Sequence, residues 1–251
     1  MTRSSIRRTW SGTASAGPDL AIRALPLVLS LTAGSTDTIG FLGLNGLFTA
    51  HITGNIVVLA ARVVAGDPAI FSYILSVPVF MLVLFLTRLL ASRLEWAGIA
   101  TLRPLLLLQL IFLAAFLVLC VTADPERDVD AILAIIGGMF GVAAMAVQNA
   151  LVQISLKNSP TTAVMTTNVT HFMLDLGEAL AGGDMAKRAA ARDRAMHTLP
   201  VIVGFTIGCG LGAAYEAAAG LWSLALPTGL ALLALAMGLV RRRGARRSTI
   251  G

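Results

Sequence analysis

Pro104-Leu105-Leu106-Leu107-Leu108-Gln109-Leu110-Ile111-Phe112-Leu113-Ala114-Ala115-Phe116-Leu117-Val118-Leu119-Cys120-Val121-Thr122-Ala123 carries no charged side chain, and Gln109 is its main polar group. A helix rises about 1.5 Å per residue, so a stretch of this length matches a hydrocarbon core of about 30 Å. Outward from it the same signature recurs at 69–87, 131–156, 197–215 and 217–240. A further run, 22–44, has Asp37 near its middle. The whole chain of 251 residues is 57% hydrophobic and 13% charged, and its mean hydropathy is +0.83. A soluble domain carries roughly 25% charged residues, so this chain cannot cover itself in water. The expected fold class is all-α, a polytopic membrane helix bundle whose main partner is the lipid bilayer.

Two further segments, 51–64 and 160–180, are less regular; the second carries Asp175 and Glu178. Charge decides how they are placed, because Lys and Arg of short loops favour the cytoplasmic side. With the Arg-rich N-terminus inside, eight full crossings put Arg88, Arg93 and Arg103 outside, against the rule. Letting the two odd segments enter and return on the same side puts those arginines inside. It also places Asp124, Glu126, Asp128 and Asp130 outside, and Lys187, Arg188, Arg192 and Arg194 inside. The tail Arg241, Arg242, Arg243, Arg246 and Arg247 then falls inside as well. The expectation is six spanning helices plus two re-entrant or short helices, with both termini cytoplasmic in a bacterial inner membrane. Non-helical backbone at membrane depth is tolerated only beside protein or a water-filled cavity.

The odd segments resemble each other. Thr49-Ala50-His51-Ile52-Thr53-Gly54-Asn55 parallels Thr162-Ala163-Val164-Met165-Thr166-Thr167-Asn168, with four identities at a constant offset of 113. Upstream of each lies a polar spot in an apolar helix, Ser35-Thr36-Asp37 and Gln148-Asn149, with Asp37 aligned to Asn149. The halves, about 20–123 and 130–240 of a single domain spanning 20–240, each contain three crossings. An odd number makes the repeat inverted, a plan that transporters use to bring broken polar segments to the midplane.

The candidate solute-binding residues follow: Asp37, His51, Thr53, Asn55, Gln148, Asn149, Thr166 and Asn168. An ionisable side chain within a span is costly and points to function; the structural alternative for Asp37 is a cap for amides where helix 1 breaks around Gly34 and Gly40. Thr53, Asn55, Thr166 and Asn168 sit where short helices begin, where they would cap free amides beside the partial positive charge of a helix start. Ser159-Pro160 reads as the start of the second of these helices. His171, Asp175 and Glu178 share one helix face, read as an ion-pairing face toward Lys187 or Arg188 rather than a metal site. Gly204, Gly208 and Gly212, and Gly137 with Gly141, permit close helix packing, against a neighbouring helix or a second copy in a homo-oligomer.

Ala33-Gly34-Ser35-Thr36-Asp37, Phe48-Thr49-Ala50-His51-Ile52-Thr53-Gly54-Asn55, Gln148-Asn149-Ala150 and Thr161-Thr162-Ala163-Val164-Met165-Thr166 together resemble the YoaK family of bacterial multi-pass membrane proteins, a domain of unknown function. The resemblance covers roughly residues 20–240 and implies a multi-pass membrane protein without naming a substrate. Two departures stand out: Ser35 where the family has an aromatic residue, and Thr166-Thr167 where it repeats Thr-Gly. The second puts exact symmetry of the two segments in doubt.

Other classes are disfavoured. The basic residues lie in tails and gaps rather than on one face, which argues against nucleic acid. Cys120 and Cys209 lack partners at metal spacing, and no phosphate loop, zinc motif or hydrolase elbow is present. No cofactor is implied, and no enzyme is expected, since Asp37 and His51 have no nucleophile motif beside them. Residues 1–19 read as a disordered cytoplasmic tail without a signal-peptide core, and 241–251 as a basic cytoplasmic tail. The expected function is a transporter or channel for a small polar solute or ion; the alternative is a non-transporting membrane sensor, scaffold or partner protein.

Overall fold

A computed structural model describes residues 17–247 except 68, 124–127, 158 and 182. Among the described residues it is helical throughout: α1 Gly17–Gly43, α2 Ile52–Ala65, α3 Phe71–Trp96, α4 Leu102–Thr122, α5 Asp128–Ser155, α6 Met165–Leu180, α7 Met185–Ala219 and α8 Ala225–Arg247, with a 3-10 turn at Gly220–Leu224 before α8. In lipid each span must satisfy its own backbone groups, which long apolar helices do. Five stretches are long and apolar enough to cross a membrane; the last, Met185–Leu239, contains both α7 and α8. The chain is an integral membrane helix bundle.

Several expected boundaries move. Helix α1 is unbroken past Gly34 and Gly40. Helix α3 runs on to Trp96, so Arg88 and Arg93 belong to it rather than to a gap. Helix α7 starts at Met185, where Asp184 caps it by accepting from Ala186 N at 3.0 Å, so Lys187, Arg188, Arg192 and Arg194 are helical. The basic residues after 240 continue α8 to Arg247. The first sixteen residues of the expected N-terminal tail, and residues 248–251, lie outside the described residues. Pro160 does not open α6, which begins at Met165 after an irregular approach.

The interior combines apolar clusters with a buried polar face on α1, while the outer surface is apolar. Within the membrane-length window of α1, 72% of residues are buried, against 17% for α3. The buried face of α1 carries Ser30, Thr32, Ser35, Thr36 and Asp37. The Thr32, Ser35 and Thr36 hydroxyls donate to carbonyls of their own helix, Val28, Leu31 and Thr32 respectively, at 2.9, 2.8 and 2.6 Å, so burial leaves them satisfied. The outer surface is apolar: Phe71, Leu174, Trp222 and Val64 are exposed, the last at 90%. Lipid is the medium that suits this surface.

The glycine spacings serve packing within the chain. Gly204 and Gly212 of α7 lie against α1, where an added Cβ would stand 3.1 Å from Leu27 O and 2.9 Å from Ser35 O; Gly208 between them abuts the Leu31 backbone. Gly137 and Gly141 of α5 seat Cys120 and Phe116 of α4, with Cβ approaches of 2.6 and 2.8 Å.

The packing has a regularity. Helix α1 packs on α7 and α8, and α5 packs on α3 and α4. Helix α2 packs on α3, and α6 on α7; α4 meets α8, and α1 meets α5. Exchanging α1–α4 for α5–α8 returns the same set of helix pairs. Helices α2 and α6 both follow a non-helical approach, and their first residues, Ile52 and Met165, are 113 apart.

Candidate functional site

Each short helix is fastened by an asparagine and by a polar side chain from the central helix beside it. Asn55, one turn into α2, reaches back seven residues: its Oδ1 accepts from Phe48 N at 2.9 Å and its Nδ2 donates to Phe48 O at 2.7 Å. Asn168 of α6 likewise donates to Thr161 O, again seven residues back, at 2.6 Å, and Thr161 Oγ1 donates to its Oδ1 at 3.3 Å. These asparagines do not cap helix amides as their position suggested. The N-cap residues are His51 and Val164, and neither makes a side-chain cap bond. The asparagines instead hold the approach to each helix against its first turn.

Asp37 supplies the second fastening in the first half. It is 4% exposed. Its Oδ1 accepts from Thr49 N at 2.8 Å, Ala50 N at 2.7 Å and Thr49 Oγ1 at 3.3 Å, while Oδ2 meets His51 Nδ1. Asp37 is thus an acceptor for loop amides, but those of the approach to α2 rather than of a break in α1. Hydrogen bonds to a charged group contribute about 1.5–3 kcal/mol each. The counterpart in the second half is Gln148, not Asn149. Gln148 Nε2 donates to Thr162 Oγ1 at 2.8 Å and Leu29 O at 2.9 Å, and Gln148 Oε1 accepts from Gln109 Nε2 at 2.6 Å. Thr162 occupies the repeat position of Thr49. Asn149, one residue on, points off that axis and donates to Met145 O of its own helix at 3.0 Å.

The remaining polar side chains face open space. A chamber of about 620 Å³ is lined from both fastened segments, by Ala50, His51, Ile52 and Thr53 on one side and Ala163, Val164, Met165 and Thr166 on the other. Helix α5 contributes Asn149 and Gln153, and α3 contributes Phe80, Leu84 and Arg88. The eight candidates therefore divide. His51, Thr53, Asn149 and Thr166 line the chamber, whereas Asp37, Asn55, Gln148 and Asn168 are buried, each bonded to its own partners in the approach segments or central helices. A second cavity of about 390 Å³ lies on the other side of the Asp37–His51 pair, walled by Phe41, Phe48, Phe205 and Cys209. His51 lines both cavities, and its ring lies 5.8 Å from that of Phe205, centroid to centroid, edge-on.

Arg88 and Gln153 were absent from the sequence-derived set. In the sequence Arg88 reads as a loop charge; in the structure it lies within α3 and lines the chamber. The acidic face of α6 is an ion-pairing face as expected, with a different partner. Arg194 binds Asp175 at 2.8 Å and Glu178 at 2.7 Å, and Arg188 donates to Ala179 O at 3.0 Å. Helices α6 and α7 form a tight hairpin, so residues just past the turn meet 179, and the side chain two turns further on meets 175 and 178.

A family model described as a protein of unknown function (DUF1275) matches residues 25–237. No curated protein matches the chain, and no solved structure does.

Proposed function

The chain belongs to the DUF1275 family, and we propose that it is a transporter or channel that carries a small polar solute or ion through the chamber between its two fastened segments. The resemblance of its motifs to the YoaK group of multi-pass membrane proteins is part of the same reading. The observation that carries it is that two irregular segments, 113 residues apart in sequence, converge on one cavity walled by His51, Thr53, Asn149 and Thr166. The self-mapping set of helix pairs and the matched seven-residue asparagine bridges support an inverted repeat. Such repeats place solute sites where discontinuous helices begin.

Six crossings, with α7 and α8 both spanning and both termini cytoplasmic in a bacterial inner membrane, give the two cavities opposite outlets. Arg88 and Gln153 lie toward the cytoplasmic ends of α3 and α5, so the larger chamber opens inward. Phe41 lies near the outer end of α1, so the smaller cavity faces the other side. The Asp37–His51 pair then stands between them as the barrier of an inward-facing state.

Purified protein in liposomes, assayed for solute flux against protein-free vesicles, tests this reading, with Asp37→Asn as the comparison. Flux that depends on the protein and falls in the variant supports it; flux identical in the variant removes Asp37 from the mechanism. A non-transporting module is favoured by one observation, the buried bonding of Gln148 to Gln109 and Thr162, and absence of flux for every solute tried would favour it.

A further inference from the structure

We propose that the solute this chamber accepts is a small anion. The inference rests on the transport reading above and adds its charge selectivity.

Among the described residues, the titratable side chains lining the chamber are Arg88 and His51, and no carboxylate lines it. The polar groups beside them are the hydroxyls of Thr53 and Thr166 and the amides of Asn149 and Gln153, all able to donate. The nearest buried carboxylate, Asp37, faces the smaller cavity. Its oxygens are already occupied by the Thr49 and Ala50 amides and by His51. Its hydrogen-bonding capacity is therefore directed at the approach to α2 and at His51 rather than into the chamber. Arg88 has a long ion pair with Glu95, 3.7 Å, with both side chains about half exposed. That contact involves Nη1 alone, so most of the guanidinium donors stay available for a ligand.

The backbone adds the same sign. Helices α2 and α6 both begin at the chamber without a side-chain cap. A helix start carries roughly half a positive charge, and its free amides suit anions. Two such starts and one guanidinium put positive potential on the wall itself, while the carboxylates nearest to them, Glu95 beside Arg88 and Asp37 behind His51, are not among its lining residues. In a low-dielectric surround that field favours an anion and repels a cation. A volume of about 620 Å³ accommodates a small inorganic or organic anion with several waters, each water occupying about 30 Å³.

The test uses phosphatidylcholine vesicles containing the full chain. Potassium chloride, nitrate or methanesulfonate with valinomycin makes the anion limiting for swelling; urea and sodium gluconate with a protonophore report neutral and cation entry. Exchange of isotope-labelled chloride or nitrate covers a protein that only swaps anions. The expected result is anion movement well above that of empty vesicles. It should be reduced on the order of tenfold by Arg88→Gln, a fold-change equal to one lost charged contact, restored in large part by Arg88→Lys, and unchanged by Arg93→Gln. Urea or sodium movement without anion movement would overturn the inference and leave the transport reading standing. Anion movement indifferent to Arg88→Gln and Arg88→Lys alike would overturn the assignment of selectivity to this chamber. No movement of any solute in either mode would defeat the transport reading, and this inference with it.

Discussion

Replacing Asp37 separates its structural from its functional work. In Asp37→Ala the amides of Thr49 and Ala50, now 2.8 and 2.7 Å from Oδ1, lose their acceptor in a buried place. A buried donor left unsatisfied costs about 1–3 kcal/mol, so two cost about 2–6 kcal/mol, a large share of a typical stability of about 5–15 kcal/mol. Asp37→Asn keeps an oxygen in the same place and loses only the charge assistance, about 1–2 kcal/mol by the difference between charged and neutral hydrogen bonds. A domain of this size loses about 2–4 °C of Tm per kcal/mol. Asp37→Ala should therefore melt about 5–20 °C lower, and Asp37→Asn only about 2–8 °C lower. Cys120 is buried and free, so a fluorogenic thiol reagent reports unfolding in detergent. An Asp37→Ala protein melting within about 2 °C of wild type would refute the fastening role.

Three further outcomes follow from the packing. Asn55→Ala and Asn168→Ala should each destabilise by about 1–3 kcal/mol and agree within about 1 kcal/mol by the same melting assay; a large effect in one half alone would contradict equivalent roles. Gly208→Ala presses a methyl into the Leu31 backbone and should cost about 1–3 kcal/mol. Gly210→Ala on the same helix meets nothing within 4 Å and should be neutral or slightly stabilising; equal melting of the two would disprove the α1–α7 contact. In a background without native cysteines, Ile99→Cys between α3 and α4 should resist an impermeant thiol reagent applied to intact cells and react after permeabilisation. Labelling from outside would favour eight crossings over six.

Much of this architecture was legible as hydropathy and charge. The uncharged run 104–123 lies almost wholly within α4, Leu102–Thr122, because lipid leaves a long apolar stretch few alternatives to a helix. The paired elements, Thr49 with Asn55 and Thr162 with Asn168, were legible because identical local needs, a backward asparagine bridge and a threonine held by a central helix, go with identical residues. Helix ends were less legible. Charged residues such as Arg88 and Lys187 continue helices past the apolar run, since the boundary of the hydrocarbon is not the boundary of the helix. The register of the second polar spot is not legible in the sequence either. Gln148 and Asn149 are adjacent, and which of them faces Thr162 depends on the rotation of α5, set by its packing on α3 and α4. The place of Arg88 is illegible for a related reason: a basic residue at a span's end reads as an interface anchor, and only the fold brings a cavity beside it.

The most direct measurement is the reactivity of two introduced thiols, Thr53→Cys and Thr166→Cys, in inside-out vesicles of protein lacking Cys120 and Cys209. A shared aqueous chamber open to the cytoplasm predicts that a small charged thiol reagent modifies both, and that each anion the protein carries slows both reactions. If neither thiol reacts, or only one of them does, the two helix starts do not face a common water-filled space.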